Sequence, residues 1–363
     1  MKHVACWILY TTIPVAIYLQ VTHGDRVWLF VIACLAVLPL AAWIGASTEQ
    51  LARRMGPTVG ALFNATFGNL AELIIAIFAI RAGLPDVVRA SFSGSIVGNL
   101  LLVGGLSMFV GGWRRQTLKF NALSAESQAG QLILALSAVL VPALFFRAAI
   151  RAHRPELIHQ VSIGTSIILI LSYALGLVFT FKTHRAALAA VPDDSPRRDD
   201  GPLWKRGRAL ALLIFASALM AVIAEGLVGA VRDAGHAWGM NDVFLGFVVL
   251  AIVGNAAEHS TAVLLAMRNQ MDTALNISMQ SSVQIALFVT PMLVFVSYPL
   301  GHPLDLLFTP FEILAGALAV SIFAYLVMDG ETNWYEGIQL LAVYSIIAVA
   351  LYFLPPNATP ALG

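Results

Sequence analysis

The sequence predicts an all-α polytopic membrane protein with about 11 transmembrane helices, one extra N-terminal helix plus two inverted repeats of five. Three observations predict it. Only 11% of the residues are charged and 59% are hydrophobic, with a mean hydropathy of +0.83, whereas a soluble protein carries roughly 25% charged residues. Apolar stretches recur along the whole chain, each long enough to cross a hydrocarbon core of about 30 Å. Finally, a shift of 186 residues lays Gly68-Asn69-x-Ala71-Glu72 on Gly254-Asn255-x-Ala257-Glu258.

The first span, roughly 4–20, resembles a signal peptide only faintly. No small-residue cleavage site follows it, and "VTHGDR" reads as a short loop, so it is expected to remain as a helix. Four spans follow at roughly 27–47, 58–81, 87–110 and 124–146, and a fifth at 157–181. The second set runs over 208–231, 242–267, 274–297, 305–328 and 334–354. Between the sets lies 182–207, with "VPDDSPRRDDGP" at its centre, whose Pro, Gly and mixed charge read as a solvated linker.

The same shift carries Asp86 onto Asp272, Ser95 onto Ser281, and Glu126, Ala129 and Gly130 onto Glu312, Ala315 and Gly316. Residues 1–24 are therefore expected to form the extra helix, 25–181 the first repeat, 182–207 a cytoplasmic linker and 208–363 the second repeat. An odd number of spans per repeat forces opposite insertion, the architecture of secondary transporters with a site near the midplane. Of the 21 Lys and Arg, 14 lie on the side of the N-terminus and linker and seven on the other. The positive-inside rule then puts the N-terminus and linker in the cytoplasm and the C-terminus outside, in what reads as a prokaryotic cell (inner) membrane.

A net charge of +1 leaves no basic stripe for nucleic acid. The two cysteines, Cys6 and Cys34, sit in apolar runs and read as small buried residues.

Glu72 and Glu258 fall near the middle of their spans, where an ionisable group costs several kcal/mol and normally faces a cavity or a partner. Each has Asn at i−3 and Gly at i−4 (Asn69 with Gly68, Asn255 with Gly254), stacked on the same helical face. Asn offers an amide oxygen, and Gly permits close backbone approach or a loosened helix with free carbonyls. Such an all-oxygen shell suits calcium, which takes six to eight oxygens at about 2.3–2.6 Å. No His/Cys cluster offers a softer metal a home.

The following span of each repeat adds Ser95 and Asn99 in the first half, and Asn276, Gln280 and Gln284 with Ser281 in the second. Asn99 and Gln284 occupy neighbouring registers of the repeat and read as site lining. Gln280 reads equally as interhelical glue, worth about 0.6 kcal/mol. Glu126 and Glu312 sit just inside their spans, where interfacial hydration is an equal reading. Glu49 and Glu225 are placed near the ends of theirs, as gates, proton relays or snorkelling carboxylates. His259 points about 100° away from Glu258, as an interhelical hydrogen-bonding residue or a proton shuttle.

"NATFGNLAELIIAIFAIRAG" with "GSIVGNLLLVGG", and "VGNAAEHSTAV" with "SSVQIALFVTPMLV", resemble the paired signature regions of the calcium/proton exchanger (CAX) family of the calcium/cation antiporter superfamily. The tail "DGETNWYEGIQLLAVY" is similar to that family's closing segment. The resemblance implies that Glu72 and Glu258 bind calcium and protons in turn, with Asn69, Asn255, Asn99 and Gln284 in support. Leu70 departs from the small residue commoner there, and the linker lacks the strongly acidic helix of some members. The implied activity is export of Ca²⁺ from the cytoplasm in exchange for H⁺ by alternating access. The alternative is a sodium-coupled or broader divalent exchanger of the same fold. Neither a cofactor nor enzymatic activity is expected, since Ca²⁺ and H⁺ are the substrates and the lipid bilayer the setting. A homo-oligomer stays open.

Overall fold

The computed structural model describes residues 2–154, 156–184, 186–188 and 202–354. Most of the linker, including "VPDDSPRRDDG", lies outside the described residues.

Twelve helices account for the spans among the described residues: α1 (Lys2–Val21), α2 (Arg26–Ala52), α3 (Pro57–Gly68), α4 (Leu70–Arg81), α5 (Pro85–Gly112) and α6 (Ala122–Arg151). They continue as α7 (Glu156–Thr183), α8 (Arg206–Trp238), α9 (Asp242–Met267), α10 (Met271–Ser297), α11 (Pro310–Leu326) and α12 (Trp334–Tyr352). Eight are long and apolar enough to cross a membrane alone. The third expected span is two short helices, α3 and α4, separated at Asn69.

Side-chain caps set several starts. Asp25 accepts from the Trp28 backbone N–H at 3.0 Å, Asn241 from Phe244 at 2.7 Å, and Asn333 from Tyr335 and Glu336. The expected start of the tenth span at 305 moves to Pro310, behind a capping box in which Thr309 and Glu312 bond each other's backbone N–H. The residues before it are apolar for another reason. Leu304, Leu306 and Phe308 are buried in a non-helical segment that bends at Leu306, and hydropathy alone cannot tell such a buried run from a helix.

The chain divides into two compact units, neither of which is a sequence half. One comprises residues 1–91, 200–257 and 299–302, the other 92–199, 258–298 and 303–363. In the first, α2 packs along α8. Buried Leu29, Phe30, Ala33, Val37, Leu40 and Ile44 follow helical spacing, as do Ala209, Leu213, Ala216, Met220 and Ile223 opposite. Small residues in both stripes let the axes approach. The opposite face of α8 exposes Leu210, Ile214 and Phe215, as a lipid-facing surface would.

In the second unit α5 and α12 cross on glycine. A Cβ on Gly105 would lie 2.9 Å from the Gly337 carbonyl oxygen, and one on Gly337 would lie 2.5 Å from the Phe109 nitrogen. This close crossing also brings together a two-residue antiparallel ladder unforeseen in the sequence. Strand β1 (Leu118–Lys119) pairs with β2 (Glu331–Thr332), and Lys119 bridges Glu331 at 3.1 Å.

Within each unit, loop contacts obey the parity of eleven crossings. The 118–119 and 331–332 segments belong to loops assigned to the linker side. So do the partners of Asn121, whose backbone N–H donates to Asp272 at 2.7 Å and whose amide donates to the Ala187 carbonyl at 2.9 Å. The backbone N–H of Trp204, at the end of the linker, donates to Gln50 at 2.9 Å. On the opposite side Ser162 accepts from the Leu306 backbone at 3.0 Å.

Candidate functional site

Gly68-Asn69 ends one helix, and Leu70-Ala71-Glu72 starts the next. Asn69 has φ −92° and ψ 21°, outside regular helix, so the α-helical ladder is interrupted there. The Phe67 carbonyl receives the Asn69 N–H and the Thr48 hydroxyl, the latter at 3.3 Å. Glu72 thus stands in the first turn of α4, where helix N–H dipoles favour negative charge. Asn69 is fully buried.

Against this turn lies Gly254 of α9. A Cβ there would sit 3.3 Å from Cγ of Glu72 and 3.8 Å from its Oε1. That spacing is tighter than side chains ordinarily tolerate, so the second motif's glycine is what lets α9 pass the first motif's glutamate. Gly68 meets no such limit, its nearest neighbour being Asn64 at 3.7 Å. A narrow cleft reaches Glu72 between Ile75, Ala79, Val87, Val88, Leu250 and Gly254, with Ser91 beside them.

The second motif is continuous helix. The Asn255 side chain donates to the Ala251 carbonyl at 2.9 Å, four residues back, and α9 runs unbroken through Glu258. The two pseudo-equivalent motifs therefore differ in backbone.

Glu258 is served by side chains of α5 and α10. The Ser281 hydroxyl lies within hydrogen-bonding reach of its carboxyl. The Asn99 amide donates to Ser281 Oγ at 3.0 Å, and Asn99 Oδ1 stands 2.9 Å from Nε2 of His259. With its amide N–H committed to Ser281, Asn99 must accept through Oδ1, so Nε2 of His259 carries the proton in this arrangement. The Asn99 carbonyl also takes the Ser278 hydroxyl. Among the described residues, Glu258 Oε2 is buried with no hydrogen-bond partner.

Asn99 can hold this position because its helix is locally wide. Residues Gly98–Val103 form a π turn, and Ile285–Val289 of α10 form another at the corresponding place in the repeat. Such bulges shift carbonyl register and often mark functional segments.

The remaining candidates separate clearly. Ser95, Asn99, Ser281 and Gln284 are buried, and Gln280 is half-buried. Gln280 and Gln284 approach the Tyr173 hydroxyl, without a hydrogen bond of ordinary geometry to it. Glu126 is exposed, while its repeat mate Glu312 is 4% exposed, inside the capping box and on the wall of a largely apolar cavity lined by Phe92, Leu132, Leu169 and Ile313. Glu49 and Glu225 are both exposed. Glu225 is not near a helix end as expected. Helix α8 continues through "VRDAGHAW" to a left-handed cap at Gly239, φ 65°, leaving Glu225 near its middle. Thr48 and Ser278 were missed by sequence reasoning, although Ser278 lies at i−3 from Ser281. Among the described residues no group of three or more His, Cys, Asp or Glu could hold a metal, so any cation site rests on few carboxylates with amide, hydroxyl and carbonyl oxygens.

Residues 26–182 and 208–353 match the sodium/calcium exchanger protein family. The chain is 38% identical to the Ca²⁺/H⁺ antiporter of Aphanothece halophytica, over 97% of this chain and 96% of that protein. It is also 38% identical to the Ca²⁺/H⁺ antiporter ChaA of Bacillus subtilis (strain 168), over 94% of this chain and 97% of that one. Among solved structures, native YfkE matches with a TM-score of 0.82 at 36% identity, covering 96% of this chain and 99% of its own.

Proposed function

Because the chain belongs to the sodium/calcium exchanger protein family, we propose that it is a secondary active antiporter exporting Ca²⁺ from the cytoplasm in exchange for H⁺. Relatives covering nearly the whole chain carry the name of that exchange. Glu72 and Glu258 bind the cation or protons in turn, and the single observation that carries this assignment is the Gly254 backbone against Glu72. Glu258 lies four residues further along the same unbroken helix, about 6 Å of rise from Gly254. One cation shared by the two glutamates is inferred from their matched places in the repeat, 186 residues apart.

The chemistry follows from charge. Two ionised carboxylates in a low-dielectric setting repel one another and lack water, so the pair is unstable when empty and ionised. It holds either a divalent cation or protons. Asn69, Asn255, Asn99 and Gln284 add amide oxygens, and the interrupted helix at Asn69 adds backbone groups. Ser281, held by Asn99, brings a hydroxyl within reach of Glu258. Exchange results if the protein changes access only when the pair is neutralised. The two repeats insert with opposite orientation, the linker is cytoplasmic, and the C-terminus lies outside. Glu49, Glu225 and Glu126 act along the approach to the pair.

Proton-gradient-driven uptake of radioactive calcium into inside-out vesicles tests this reading. Uptake should collapse in Glu72→Gln and in Glu258→Gln, and should not respond to an imposed sodium gradient. Full uptake in either variant would sink the shared pair, and sodium-driven uptake would replace protons as the coupling ion.

A further inference from the structure

Four polar side chains recur at every fourth position of α10: Asp272, Asn276, Gln280 and Gln284. They share one helical face and span about 18 Å of rise. The stripe begins in the first turn of α10, where Asp272 accepts the backbone N–H of the linker-side loop residue Asn121, and ends at Gln284, one turn beyond Ser281, the residue that reaches Glu258.

Neighbouring helices complete it. The Gln128 amide donates to Asn276 Oδ1 at 2.7 Å, and the Ser124 hydroxyl donates to the same oxygen at 2.9 Å. Further in, Tyr173 of α7 faces Gln280 and Gln284. Gln128 is 7% exposed and Tyr173 2% exposed. Yet among the described residues Gln128 Oε1 and Tyr173 Oη are buried with no hydrogen-bond partner. Buried polar atoms are normally satisfied, and ordered water is the usual partner when protein is not.

We propose that this stripe is a water-filled proton path joining the linker side to Glu258. Waters at Gln128 Oε1 and Tyr173 Oη carry protons along it by hydrogen-bond exchange, and the amides hold the waters without titrating. Calcium does not use it. The track offers one carboxylate at its mouth, and Asn276 Oδ1 is already occupied by two donors, whereas calcium takes six to eight oxygens. The inference rests on the proton-coupled exchange proposed above.

The test compares two fluxes in the same proteoliposomes: ΔpH-driven uptake of radioactive calcium, and calcium self-exchange at equal pH, which moves no protons. Tyr173→Phe removes one hydroxyl, and Gln128→Met removes the amide at nearly constant shape. Each should slow ΔpH-driven uptake about fivefold or more, the scale of losing one hydrogen-bonding partner, while self-exchange stays near the wild-type rate. Equal loss of both fluxes would overturn the proposal in favour of packing or a shared route. Unchanged ΔpH-driven uptake in both variants would overturn it in favour of inert interhelical contacts. A wild-type protein whose calcium flux ignores ΔpH would instead bring down the antiport reading, and this inference with it.

Discussion

At the scale of single residues, the two signature motifs do different work. Gly254 is defined by what it must not carry, because a methyl group there reaches Cγ of Glu72 at 3.3 Å. Gly254→Ala is expected to cost about 1–3 kcal/mol of local strain, a drop of about tenfold in apparent calcium affinity, without loss of expression. Gly68→Ala should do far less, since 3.7 Å is ordinary contact. Calcium-dependent uptake measured over a concentration series separates them, and equal effects would contradict the asymmetry. The repeated Gly-Asn-x-Ala-Glu pattern was legible from spacing. The Asn99–Ser281 bond was not, because it joins residues 182 positions apart and no local pattern records it.

At the scale of elements, the break at Asn69 is the feature that hydropathy smoothed over. Both halves of "NATFGNLAELIIAIF" are apolar, so the window reads one span. At the break the Thr48 hydroxyl donates to the Phe67 carbonyl, a contact that no hydropathy window records. Thr48→Val should lower ΔpH-driven calcium uptake about fivefold, and Thr48→Ser should restore it. Unaltered uptake in the valine variant would make that bond incidental. The start of α11 gives a second check. Glu312→Ala removes half of a capping box, which should lower stability by about 1 kcal/mol and reduce the thermal unfolding temperature. Calcium uptake retained in that variant favours a capping role, and uptake lost with stability intact favours a proton relay. The tenth span was misread at its start for a related reason: alternating burial of Leu304, Leu306 and Phe308 mimics helix to any scale that counts only apolarity.

For the whole molecule, composition was enough for the membrane class, and the 186-residue shift for the duplication. The division into compact units was not readable, because each unit draws helices from both sequence halves. Helix ends were limited by the same problem: α8 runs past Arg232 because "DAGHAW" packs and caps locally, moving Glu225 to mid-helix. The eleven-crossing topology has a direct test in β1 and β2. Leu118 and Thr332 are paired across the ladder, and paired strand residues lie about 4.5–5.5 Å apart, within disulfide range. With Cys6 and Cys34 replaced, Leu118→Cys with Thr332→Cys should lose maleimide reactivity on mild oxidation. Two thiols that stay reactive would contradict the pairing.

The central claim is that calcium and protons compete for one pair of glutamates. It is tested most directly by proton release on calcium binding to purified protein in weakly buffered detergent solution. The account predicts that each calcium bound displaces protons, that apparent affinity falls as pH is lowered, and that Glu72→Gln and Glu258→Gln each abolish the release. Tight calcium binding that releases no protons and is indifferent to pH would contradict it.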